Sequence, residues 1–245
     1  MSTKTLFCIQ SLGAKVVFIN PDNSPKYTAR KHTMMWMLES IGFPLENIIH
    51  FKSDPISYPA CLVKATRDIL EKYIDTPVLL LEDDLAYTNQ CMFEIPENTD
   101  ALYLGISECA AHPFKNHNNG VSQFEYVTSS TVRVKNMLSA HAVLYKTRRY
   151  KEAVIQAMDH ALRMGIVNDI MLARLQPSFN IYAGVKPMFY QSRVFNITPS
   201  LKSINVEDQT NIEIHITKDN ICVPVRSYGG STAFVKYLHE LNETR

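Results

Sequence analysis

The sequence predicts an α/β fold with a mostly parallel central sheet flanked by helices. Aliphatic runs such as Val16-Val17-Phe18-Ile19 and Val78-Leu79-Leu80-Leu81 lack the apolar–polar alternation of half-exposed strands, so they belong to strands covered on both faces. Segments of helical periodicity alternate with them. The connections are short, which implies right-handed crossovers between parallel strands.

Val16-Val17-Phe18-Ile19-Asn20 is the first strand, and Pro21-Asp22-Asn23 ends it by turn chemistry. Ser24 offers an N-cap, Pro25 takes the first helical position and Gly42 supplies the stop, so a helix runs to about residue 41. Its stripe of Met34, Met37, Leu38 and Ile41 reads as core packing. Residues 47–51 form a second strand and 52–55 a turn. Ser57 then caps a second helix, with Leu62, Ala65, Ile69 and Tyr73 on one face, that leads into Val78-Leu79-Leu80-Leu81.

Residues 101–106 are a further strand, and 112–125, with His112, His117 and little apolar periodicity, read as a mobile loop. Residues 139–145 form a strand interrupted by His141. A long helix runs from Thr147 to about residue 164, and Asn168-Asp169 opens a short one. Phe179-Asn180-Ile181-Tyr182 is a strand closed by Gly184 and Pro187. Beyond Gln191 the pattern changes to a small C-terminal hairpin (211–216 and 221–225) and a helix (231–241). The expected division is a main domain over 1–197 and an extension over 198–245 packed on it.

A chain of 245 residues is long enough for one sizeable α/β domain. Its 25 basic and 24 acidic residues give a net charge of +1, so bulk electrostatics offer no reason to expect nucleic acid as a partner. No apolar run is long enough for a transmembrane segment and the first residues lack a signal-peptide pattern, so the expected compartment is cytoplasmic. Five cysteines without CxxC spacing read as free thiols.

The strand Val78-Leu79-Leu80-Leu81 stops at Glu82-Asp83-Asp84. Three carboxylates at the end of a buried strand cost desolvation and mutual repulsion unless a cation or hydrogen-bond donors meet them. Oxygen-only donors suit Mg²⁺ or Mn²⁺, which complete their shells with water and substrate phosphates, so the expected substrate carries a diphosphate. The alternative is an acidic cap on a turn. In parallel sheets ligands bind at the carboxyl ends of strands, where Asn20-Pro21-Asp22 and Lys52-Ser53-Asp54 also lie.

Taken in order, these stretches resemble the family 25 glycosyltransferases, which include lipopolysaccharide sugar transferases and procollagen galactosyltransferases. The resemblance is carried by Ile19-Asn20-Pro21-Asp22-Asn23-Ser24 with Arg30, Leu80-Leu81-Glu82-Asp83-Asp84, Asp100-Ala101-Leu102-Tyr103-Leu104-Gly105, Ser139-Ala140-His141-Ala142 and Asn168-Asp169. It departs from the family pattern at Ser57-Tyr58-Pro59-Ala60-Cys61 and at Ser139. The resemblance implies a GT-A fold, a Rossmann-related sheet, with a DxD-like motif. It implies metal-dependent transfer, with inversion, from a nucleoside-diphosphate sugar, expected to be a UDP-sugar, to a hydroxyl of a glycan, glycolipid or glycoprotein.

In that reading Asp84 holds the Mn²⁺ or Mg²⁺, helped by Glu82 or Asp83, and His141 either reaches the same site or satisfies a core hydrogen bond. Asn20, Asp22, Asp54 and Asp83 face the nucleotide sugar, and Arg30 offsets phosphate charge or is a plain helix arginine. Asp169 is the base for the acceptor hydroxyl, or an ordinary helix N-cap. Phe189, Tyr190 and Tyr126 are candidates for stacking on a sugar, or core and surface aromatics. Two rivals remain: a sugar nucleotidyltransferase, and a non-catalytic glycan-binding protein.

Overall fold

The computed structural model describes residues 4–192 and 209–226. In chain order the elements are β1 (Lys4–Cys8), β2 (Lys15–Asn20), α1 (Pro25–Ile41), β3 (Ile48–Lys52), α2 (Ala60–Lys72), β4 (Val78–Leu81), β5 (Leu85–Tyr87), β6 (Met92–Pro96) and β7 (Ala101–Tyr103). Then come β8 (Cys109–Ala111), β9 (Asn118–Val121), β10 (Gln123–Tyr126), β11 (Thr131–Asn136), β12 (Ala142–Tyr145), α3 (Arg148–Met164), α4 (Asn168–Leu175), β13 (Ile181–Gly184), β14 (Phe189–Gln191), β15 (Ile212–Ile216) and β16 (Cys222–Arg226).

The central sheet has eight strands in the order β10-β11-β13-β7-β12-β4-β2-β3. Its opening is the parallel run expected from the sequence, with β2 parallel to both β3 and β4. Farther along, β12 is antiparallel to both β4 and β7, so the sheet as a whole is mixed. The reason lies between β7 and β12. No helix crosses back there; short strands follow one another, and β12 sets out from the edge where β4 ends, with Ala142 opposite Leu81.

Alternate residues of the buried strands enter two core layers, as strands covered on both faces require. Val17, Leu80, Tyr103 and Val143 pack with α2 and α3 through Val63, Ile69, Val154 and Met158. Val16, Phe18, Leu79 and Leu144 pack on the other face against Met34, Met37 and Leu38 of α1. Fully burying such aliphatic side chains stabilises by roughly 1.5–3 kcal/mol each, so these layers dominate the fold. Lys151 is buried in α3 and donates to the carbonyls of Tyr73 (2.8 Å) and Thr76 (2.7 Å), fixing the loop that feeds β4.

Several local expectations change. Ser57 does not cap α2: the helix starts after Pro59 with no side-chain cap. Residues 112–125 are ordered by the β8–β9 hairpin and β10, not a featureless loop. There His112 Nδ1 accepts the backbone N–H groups of Phe114 (3.0 Å) and Lys115 (3.1 Å) and so closes the hairpin tip. The hairpin β15–β16 forms, and Ile212 and Ile214 are buried in the core layer that contains α2 and α3. The helix expected over 231–241 and the division at 197/198 lie outside the described residues. Among the described residues no helix is long and apolar enough to cross a membrane.

Candidate active site

The carboxyl ends of β2, β3 and β4 converge with the start of β12. Register does this: β2 is parallel to its two neighbours, and the Glu82 N–H donates to the His141 carbonyl at 2.9 Å. The acids after β4 are thereby set beside residues from four other segments.

Asp83 is held on both oxygens. Arg30, buried on α1, donates to Oδ1 at 2.9 Å, and Asn20 Nδ2 donates to Oδ2 at 2.5 Å and to the Tyr27 carbonyl at 3.0 Å. Burial pushes the Asp83 carboxyl up and the Arg30 guanidinium pulls it back. Asn20, Arg30 and Asp83 are thus brought together as a brace between β2, α1 and β4. Arg30 is a buried brace and not the plain helix arginine that the sequence allowed.

Asp22 stands apart from the acids. Its backbone is left-handed (φ 44°), a conformation Asp tolerates when local hydrogen bonds hold it, and here its N–H donates to Asn20 Oδ1 at 2.8 Å. The Lys31 ammonium (2.6 Å) and the Thr28 hydroxyl (2.9 Å) on its carboxylate hold its pKa below the usual range. Asp54 is half exposed and paired with Lys64 at 2.9 Å.

His141 is 2% exposed. Its Nδ1 shares a 2.9 Å hydrogen bond with the Ser139 hydroxyl, and Nε2 lies so close to Gly105 that a Cβ there would sit 1.8 Å from it. Gly105 therefore exists for the close approach of this ring. Burial drives the imidazole pKa down to about 4, so the ring is neutral at ordinary pH. Ser139 thus meets a core hydrogen bond at Nδ1, and His141 also lines the smaller of the two cavities at the acids.

Glu82, Asp84 and Asp169 are the acids that remain. Directly after Asp84, β5 pairs with β14 and sets Gln191 opposite Leu85. Gln191 Nε2 then donates to Glu82 Oε2 at 3.0 Å and reaches Asp84 Oδ1 at 3.4 Å. Burial, with the carboxylates of Asp84, Asp169 and Asp83, pushes the Glu82 pKa well above the carboxylate range. Asp169 lies in the first turn of α4, which begins after Val167 with no side-chain cap, so Asp169 does not cap the helix. Burial raises its carboxyl to about 6.

Two cavities meet at these acids. One, of about 500 Å³, is lined by Pro21, Tyr27, Arg30, Asp54, Asp83 and Asp84. The other, of about 340 Å³, is lined by Asn118, Ser139, Asn168, Asp169, Gln191 and Thr210, with the start of the β8–β9 hairpin at Cys109 on its wall. Tyr58, Leu62 and Glu82 belong to both. Sequence reasoning missed Tyr58 and Gln191. The available signal for Tyr58 was an aromatic between Pro55 and Pro59 at the end of a parallel strand; Gln191 carried none, because its partner is 109 residues away. Of the stacking candidates, Phe189 and Tyr190 are buried in the core, and Tyr126 lies partly exposed on β10.

The donor set fits a hard divalent cation in kind. Glu82 and Asp84 are oxygen donors joined by one amide, and Glu82 is under strong carboxylate repulsion that positive charge would relieve. Among the described residues no three His, Cys, Asp or Glu side chains converge as a metal cage. One or two carboxylates completed by water and phosphate is the usual arrangement for Mg²⁺, which does not need such a cage.

The chain matches no protein-family model and no curated protein sequence. Among solved structures it is similar to the CTP:phosphocholine cytidylyltransferase LicC of Streptococcus pneumoniae, at 11% identity and a TM-score of 0.43 over 74% of this chain and 94% of that one. It is similar to a glycosyltransferase involved in glycosylation of the major capsid protein of PBCV-1, at 11% identity and a TM-score of 0.33 over 60% and 68%. A third likeness is to a mutant Drosophila β-1,4-galactosyltransferase 7 in complex with manganese, UDP-Gal and xylobiose, at 13% identity and a TM-score of 0.35 over 87% and 93%. Chemistry does not transfer at these scores, so the functional reading rests on the site itself.

Proposed function

We propose that this chain is a metal-dependent glycosyltransferase of the GT-A type, moving a sugar from a UDP-sugar to a hydroxyl of a glycan, glycolipid or glycoprotein with inversion. The observation that carries the reading is the meeting of two cavities at Glu82, with Asp84 on the wall of one and Asp169 on the wall of the other. A two-substrate transfer needs that arrangement: donor in one cavity, acceptor in the other, and the reacting carbon at the junction.

The larger cavity takes the nucleoside diphosphate, between Tyr27, Asp54 and the Asn20–Asp83–Arg30 brace. Asp22, tied to Lys31, shapes its rim through Asn20. Asp84 and Glu82 would hold Mn²⁺ or Mg²⁺, which when bound supplies Lewis-acid stabilisation for the charge growing on the diphosphate. Gln191 orients both carboxylates. Asp169 takes the proton of the acceptor hydroxyl as that oxygen bonds to the anomeric carbon, and the bond to the diphosphate breaks with its electron pair leaving on UDP. A carboxyl raised to about 6 by burial is ionised at pH 7 yet more basic than an ordinary aspartate, which suits this task. His141 packs on Gly105 and lines the acceptor cavity.

The test is a panel of nucleoside-diphosphate sugars incubated with the full chain and Mn²⁺, with and without free sugars as acceptors. Release of nucleoside diphosphate supports the reading. Release of pyrophosphate from nucleoside triphosphates and sugar phosphates, with no use of nucleotide sugars, would instead make it a nucleotidyltransferase.

A further inference from the structure

We infer that Tyr58, at the junction of the two cavities, is the platform on which the transferred sugar rests, and that this sugar is a neutral pyranose. The inference builds on the transferase reading and names the chemistry of the group that is moved. Tyr58 is common to both cavities, with Leu62 and Glu82. The residue is 70% exposed, so it contributes little to the core and offers surface to a ligand. Tyr58 lines the smaller cavity together with Asp169 and Glu82, so the platform shares a wall with the proposed base and the proposed metal ligand.

A pyranose has an apolar C–H face and a rim of hydroxyls. Tyr58 and Leu62 supply an apolar surface suited to the face, while Glu82 and Asp169 accept hydrogen bonds from the rim. The Asp169 carboxylate on this wall repels an acidic sugar, because a second carboxylate placed beside it adds like charge in a confined cavity. Specificity against uronic acids then comes from repulsion as much as from contact.

The experiment is calorimetric titration of the full chain, in Mn²⁺, with UDP, UDP-glucose, UDP-galactose, UDP-N-acetylglucosamine and UDP-glucuronate. In the wild type at least one neutral UDP-sugar should bind more tightly than UDP, and UDP-glucuronate should bind more weakly than that sugar. Tyr58→Ala should lower affinity for the neutral UDP-sugar roughly three- to tenfold while leaving UDP affinity unchanged, and Tyr58→Phe should keep most of the sugar's contribution. Exposure of the side chain keeps both variants folded, which circular dichroism verifies. If UDP binds but no attached sugar adds affinity, if Tyr58→Ala affects UDP and UDP-sugar alike, or if UDP-glucuronate equals the neutral sugars, the inference is wrong and the transferase reading stands. If the wild type binds neither UDP nor any UDP-sugar, the donor reading fails and takes this inference with it.

Discussion

Asp169 carries a cost that its position explains. An isolated carboxyl with an ordinary pKa of 3.8 is held at about 6 by burial, so between those values the folded chain binds more protons than the unfolded one. Its favourable contribution is complete below about pH 4 and is lost as pH rises through about 6. At pH 7 the ionised side chain therefore destabilises the fold. Asp169→Asn should raise stability at pH 7 by roughly 1–3 kcal/mol, with the gain shrinking as pH falls toward 4. Thermal melts of the metal-free protein at the two pH values check this. The same variant should lose about 100-fold or more of any transfer rate, the usual penalty for removing a general base. A variant both less stable at pH 7 and fully active would remove Asp169 from the site. At this scale the sequence made the acids legible, because three carboxylates after a buried strand break the strand's own chemistry. It left Tyr58 and Gln191 hidden, since their meaning comes from partners far along the chain.

Among elements, the contact that matters most to the site is the brace from α1 to the end of β4. Arg30 and Asp83 have side-chain exposures of 7% and 11%, so solvent screens their charges little. Arg30→Ala leaves a buried carboxylate that, among the described residues, keeps only Asn20 as donor, and should cost about 3–5 kcal/mol in chemical denaturation. The double variant Arg30→Met with Asp83→Leu should recover most of that loss, because no charge is left unpaired. A double variant as unstable as Arg30→Ala alone would mean that the brace acts by shape and not by charge. The parallel run β3-β2-β4 was legible because its residues are apolar on both faces. The three-residue strands β5, β8 and β14 are too short to display a period, and they take their conformation from tertiary pairing. The hairpin at 109–121 escaped for a related reason: a histidine side chain, not glycine or asparagine turn chemistry, closes its tip.

For the whole molecule, a two-layer core holds the sheet rigid while its carboxyl edge gathers buried like charges that a stability-optimised surface would avoid. The α/β class followed from strand and helix pattern alone. The antiparallel course of β12 did not, because it depends on where residues 104–141 travel. That course sets His141 against Gly105 and closes the wall of the smaller cavity. The most direct measurement of the central claim is release of UDP from a UDP-sugar panel by the full chain in Mn²⁺, in excess EDTA, and by Asp84→Asn in Mn²⁺. The account predicts release by the wild type in Mn²⁺, loss of that release in EDTA, and at least a 100-fold decrease in Asp84→Asn. Release that is undiminished in EDTA and in Asp84→Asn would contradict it.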